Sequence, residues 1–171
     1  MSAITLVAAS VITVVFGWGG VGKLVRFSEW KEVLQAYEVA PVLLRPAAVL
    51  VPLAELTVVG LFLAGRARAG AALSLCLVAV FSPALIATSQ RRGRQVPCGC
   101  FGKATPHDYR LLLARNAAIA SLAGIILIYG HDRLTLLSAV DPTVTVLAVV
   151  IVVGLSLILT LARELQALRR Q

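Results

Sequence analysis

Residues 90–110 read QRRGRQVPCGCFGKATPHDYR, from Gln90 to Arg110. This is the longest polar interval in the chain, and apolar runs flank it on both sides. Residues 70–89 precede it and residues 111–129 follow it. Runs of about 20 apolar residues are long enough to cross the hydrocarbon core of a bilayer as helices. Both flanks are therefore read as membrane spans, and the polar interval as the loop between them. The whole chain has 171 residues, 59% hydrophobic and 14% charged, with a mean hydropathy of +0.91. Soluble domains are rarely so apolar. The fold class is thus all-α, a polytopic membrane helix bundle, with residues 1–171 forming one integral membrane domain in the cell membrane.

Outward from the loop, the remaining spans fall at 3–22, 43–64 and 143–161. The first is read as an uncleaved helix, since no basic segment precedes it and no small-x-small cleavage site follows. Its end, Gly17 to Lys23, contains a G-x-G-x-x-G and most of a Walker A motif. Both motifs require a preceding strand, and Walker A also needs Ser or Thr where Leu24 stands. These glycines are instead expected to let helices pack closely. Residues 28–40 place Trp30, Val33, Leu34 and Tyr37 on one helical face, with Lys31, Glu32, Gln35 and Glu38 opposite. This predicts an amphipathic interfacial helix with Ser28 as N-cap and Pro41 as stop, on the same side as the polar loop. The second span carries Pro52 and Glu55. A carboxylate inside a membrane is either functional or a paired residue that locks helix packing. Cys76 in the third span lies too far down its helix to reach the loop, and is expected to be a small buried residue. Arg115 and Asn116 open the fourth span. Asp141-Pro142 reads as the start of the fifth.

The loop holds the chemistry. Cys98 and Cys100 flank Gly99. A disulfide needs Cα atoms about 4.4–6.8 Å apart, and a bend at glycine brings residues i and i+2 into that range. Pro97 stiffens the approach and Gly102 lets the loop turn away. So small a ring would be strained, and strained exposed disulfides are the exchangeable kind. Arg91, Arg92, Arg94, Lys103 and Arg110 surround the pair with positive charge, which favours thiolate. His107 is a candidate base or proton carrier, or simply a solvated histidine. Three readings remain open. One is thiol–disulfide exchange. Another is metal handling by Cys98, Cys100 and His107, against which stands the absence of an evident fourth ligand, so no metal site is assigned. The third is a purely structural pair, as in a non-enzymatic scaffold or maturation chaperone.

The net charge of +8 does not point to nucleic acid. The basic residues sit in short loops beside apolar runs, where they orient helices and meet the lipid bilayer. Counted by loop, they place the Cys98–Cys100 side in the cytoplasm.

Three local patterns resemble the methylamine utilisation protein MauE family, within the wider DoxX-like membrane proteins. They are Cys98-Gly99-Cys100-Phe101-Gly102 after the third span, Gly20-Val-Gly-Lys23-Leu24 closing the first, and Pro52-x-x-Glu55 in the second. The resemblance covers roughly residues 4–130 and leaves the fifth span outside. It implies a four-helix core related in plan to thiol–quinone oxidoreductases of the DsbB and vitamin K epoxide reductase type. It further implies a thioredoxin-like partner, and a role in maturing a disulfide-rich client such as the small subunit of methylamine dehydrogenase. That work lies outside the cytoplasm, opposite to the charge count. A quinone enters only as an implied acceptor, with Glu55 and Arg115 as candidates to shape a quinone or proton site. The client is not legible.

Overall fold

In the computed structural model, residues 3–98 and 105–130 are described, and they form five helices and one β-hairpin. Helices α1 (Ala3–Val25), α3 (Pro41–Leu63), α4 (Ala67–Arg92) and α5 (Tyr109–Tyr129) are each long and apolar enough to cross a membrane. The protein is therefore a multi-pass helical bundle. The short α2 (Phe27–Ala36) links α1 to α3. Strands β1 (Gln95–Cys98) and β2 (Thr105–Asp108) pair antiparallel between α4 and α5. The fifth expected span, 143–161, and Asp141-Pro142 lie outside the described residues.

Apolar side chains at helical spacing give the core. Ile12 and Phe16 of α1 meet Val58 and Phe62 of α3 and Ile119 and Ile126 of α5. The expected close approach at the α1 glycines is present. A Cβ on Gly20 would stand 3.1 Å from Leu56 and 3.3 Å from the Pro52 carbonyl oxygen. In α4 the buried stripe is Ala71, Ser74 and Val78. Cys76 lies off that stripe and is exposed, contrary to the expectation that it is buried. In a membrane bundle that outward face meets lipid, which accepts a small apolar thiol as readily as a core does.

The α1–α2 corner also differs from expectation. Ser28 is not the N-cap. Arg26 holds that position, without a side-chain cap bond. No cap is needed because the backbone bonds run through the corner, Arg26 N–H to Gly22 O and Trp30 N–H to Arg26 O, both at 3.0 Å. Nor does Pro41 stop α2. The chain leaves the helix at Tyr37 and Glu38, the latter in the left-handed region at φ 55°. Pro41 instead opens α3, where its missing N–H is harmless.

Pro52 lies inside α3, so it offers no N–H to the carbonyl four residues back. That carbonyl is Ala48 O, and the Trp30 indole donates to it at 3.2 Å. Trp30, Val33 and Leu34 lie buried on Ala48, flanked by Leu44, Ala47 and Val51. The apolar face of α2 is thus turned onto α3. Replacing Trp30 by Phe keeps the ring and leaves a buried carbonyl unsatisfied, at about 1–3 kcal/mol. Thermal unfolding in detergent should show that loss in the Trp30→Phe variant. It should shrink when Pro52→Ala supplies the missing N–H.

Candidate functional site

Two features meet at the end of the bundle where α2 and the hairpin lie. The first is the hairpin. Its register pairs Gln95 with Asp108, Val96 with His107, Pro97 with Pro106 and Cys98 with Thr105. Cys98 therefore ends β1, and residues 99–104, with Cys100, join the strands. Gly99, Cys100, Phe101 and Gly102 lie outside the described residues. The base of the hairpin is fastened to the bundle. Val96 is fully buried with Leu85 of α4 and Leu112 of α5, against Tyr37 and Tyr109. The Tyr37 hydroxyl donates to the Pro97 carbonyl at 3.3 Å. The expected approach of the α2 segment to the cysteine loop is thus seen, through a residue just past the helix end.

Charge also fixes the hairpin. Arg94 donates to Asp108 at 3.0 Å, and Arg91 pairs with Glu38. Two of the five cations expected to favour thiolate are therefore held by carboxylates, and these exposed pairs are individually weak. Asp108 caps α5 by accepting from the Arg110 N–H at 3.0 Å. That bond, with the neighbouring Arg94 guanidinium, holds its carboxyl below the usual carboxylate range. A lowered value means that the clamp is present at neutral pH. It is lost only as pH falls through that lowered value.

The second feature is internal. Lys23 Nζ donates to both Glu55 carboxylate oxygens at 2.6 Å, and both residues are buried. The same ammonium stands 5.2 Å from the centre of the Trp30 ring. The paired reading of Glu55 is therefore the one observed. Lys23, at the end of the first apolar run, is an interior residue. Beside the pair lies a cavity of about 250 Å³ whose walls come from all five helices. Phe16, Val51, Phe81 and Ile119 make part of its apolar lining, and Arg115 and Asn116 add polar groups. Arg115 donates to Asn116 Oδ1 at 3.2 Å, and Asn116 Nδ2 donates to Ser82 Oγ at 3.1 Å. Glu55 and Arg115, marked separately in the sequence, thus line one space together with Lys23. Tyr37 and Leu85 line it too, so the cavity reaches the residues that seat the hairpin. Of the site residues named from the sequence, His107 lies in β2 opposite Val96.

Tyr37, Val96 and Asn116 were not singled out for this role. A tyrosine on an amphipathic face and a valine between loop arginines carry no local mark of what they touch. Asn116 alone had a signal, an amide inside an apolar span.

The model of the methylamine utilisation protein MauE family matches residues 1–129. The chain belongs to that family. No curated protein and no solved structure matches it. The three patterns on which the resemblance rested have different places in this MauE-family bundle. Gly20, Lys23, Pro52 and Glu55 converge on the α1–α3 contact, and Cys98 ends the hairpin strand above it.

The ion pair makes a sharp prediction. Lys23→Met leaves an uncompensated buried carboxylate and should cost about 3–5 kcal/mol, whereas replacing both partners by apolar residues can be nearly neutral. A cycle of Lys23→Met, Glu55→Leu and the double variant, followed by detergent unfolding, should show the double variant well above either single one.

Proposed function

We propose that this MauE-family protein carries out thiol–disulfide exchange through Cys98 and Cys100, relaying electrons for a thioredoxin-like partner during maturation of another protein. The observation that carries this reading is the seating of the hairpin. A short two-stranded hairpin alone is marginal in water. Here buried Val96, the Tyr37–Pro97 bond and the Arg94–Asp108 pair hold its base. Cys98 follows directly, at the end of the held strand, with Cys100 in the connection beyond it. A rigid base that ends one residue before Cys98 suits approach by a partner's redox pair.

In the exchange, a thiolate of the partner's dithiol attacks one sulfur of the Cys98–Cys100 disulfide. That S–S bond breaks and a mixed disulfide forms. The partner's second thiolate then displaces the attacked cysteine. The partner leaves oxidised, and Cys98 and Cys100 remain as the dithiol, having gained two electrons and two protons.

Labelling in intact cells tests this directly. With Cys76→Ser removing the remaining thiol, a membrane-impermeant reagent should label Cys98 and Cys100 only after mild reduction. Labelling that also needs permeabilised cells keeps the exchange and puts it in the cytoplasm, as the charge count expects. Cysteines that stay reduced under every condition, or full activity in the host pathway with both Cys98→Ser and Cys100→Ser, would sink the proposal.

A further inference from the structure

We infer that the groove between the end of α2 and the last turns of α4 binds one phospholipid by a zwitterionic phosphoethanolamine head. Location comes first. The groove holds about 190 Å³; Ala36, Tyr37 and Glu38 line it from one side, and Ala87, Arg91 and Arg92 line it from α4. Helix α4 is long and apolar enough to cross the membrane, and its apolar stretch gives way to Gln90, Arg91 and Arg92 at this end. The groove therefore stands where lipid headgroups meet water. Below it Val80, Pro83 and Ala87 are exposed at i, i+3 and i+7, one face of α4 turned to lipid. An acyl chain lies along that face while its head enters the groove. The volume is below the range for drug-sized ligands, about 300–1,000 Å³, as a headgroup requires.

Charge selects the head, because the groove carries both signs. Arg91 pairs with Glu38, and both are exposed, so the pair is weak and exchanges readily. Arg92 has no carboxylate partner among the described residues. Two guanidinium groups are thus set for a phosphate, which arginine binds through paired N–H groups. The Glu38 carboxylate is set for a cation. Two helix ends add to its effect, since α2 finishes at Ala36 and α4 at Arg92, and C-terminal carbonyls favour positive charge. Glu38 also holds φ 55°, a conformation that glycine takes at less cost, so the carboxylate is what the position gains.

A phosphodiester joined to a primary ammonium answers all of these charges. Its phosphate lies on Arg91 and Arg92, and its ammonium on Glu38. A phosphatidylglycerol head brings the negative charge alone and sets it against Glu38. A choline head has no N–H for the carboxylate and is held instead by several aromatic faces. Among the described residues that line the groove, only Tyr37 is aromatic. That tyrosine also donates to the Pro97 carbonyl, so a head seated at Glu38 holds the turn that fastens the hairpin. The lipid site does not rest on the exchange proposed above.

Lipid retention tests the site. The full-length protein is placed in nanodiscs with equal parts of phosphatidylethanolamine, phosphatidylcholine and phosphatidylglycerol, and its bound lipids are counted by native mass spectrometry. One phosphatidylethanolamine should be retained, about tenfold over either other lipid, the factor expected for one charge-assisted hydrogen bond. Glu38→Gln should remove the preference over phosphatidylglycerol, and Arg92→Gln should lower retention of all three. Ala87→Phe, which fills the groove from an exposed position, should abolish retention, with helicity checked by circular dichroism. Equal retention of the three lipids, or unchanged retention in a folded Ala87→Phe protein, overturns the site. A preference for phosphatidylglycerol overturns the zwitterionic head. If water-soluble glycerophosphoethanolamine displaces the bound lipid at equal concentration, the ligand is the soluble ester and the lipid assignment fails.

Discussion

A buried ion pair governs the interior of this bundle. Lys23 and Glu55 come from different helices and bond at 2.6 Å through both carboxylate oxygens. Neither charge is tolerable alone in a membrane interior, so each requires the other. That requirement sets the register of α1 on α3. It also sets Gly20 against Leu56, where an added Cβ would stand 3.1 Å from that side chain and crowd the contact. Trp30 joins the same junction twice, through its ring beside the Lys23 ammonium and its indole N–H on the Ala48 carbonyl. Pro52 makes that second contact available by withdrawing its own donor. A helix-breaking residue and a charged residue, both costly in isolation, here become the points at which three helices are joined.

The junction has a consequence at the end of the bundle. With α2 held on α3, Tyr37 stands where its hydroxyl reaches the hairpin and where it also lines the cavity. The cysteine strand is therefore attached to the interior packing of the bundle. Its exposed ion pairs add orientation more than strength. Buried Val96 is the principal apolar anchor, since burying one such side chain outweighs a solvated pair.

Much of this was legible in the chain. The four described spans follow from apolar runs of the right length, and the bundle class follows from them. Family membership could be read from the CGCFG string and two looser patterns, and the family match over residues 1–129 bears it out. Glu55 announced itself as a carboxylate in an apolar run, though its partner did not. Lys23 sits near the end of the first run and reads as a boundary cation. Ser28 and Pro41 read as cap and stop because those residue types favour such positions, but through-going backbone bonds and a left-handed Glu38 made both unnecessary. Cys76 reads as buried because cysteine usually is, and lipid removes the difference between core and exterior.

By itself, then, the sequence determined which segments enter the membrane, which residues are chemically exceptional there, and that two thiols share one polar interval. These are local properties, set by hydrophobicity and residue type. Only the tertiary structure decided that Lys23 answers Glu55, that Trp30 answers the carbonyl released by Pro52, and that Tyr37 joins the cysteine hairpin to an internal cavity. Those pairings span 18 to 60 residues along the chain. No local pattern encodes them, because they arise when packed helices bring buried polar groups from distant segments within reach of one another.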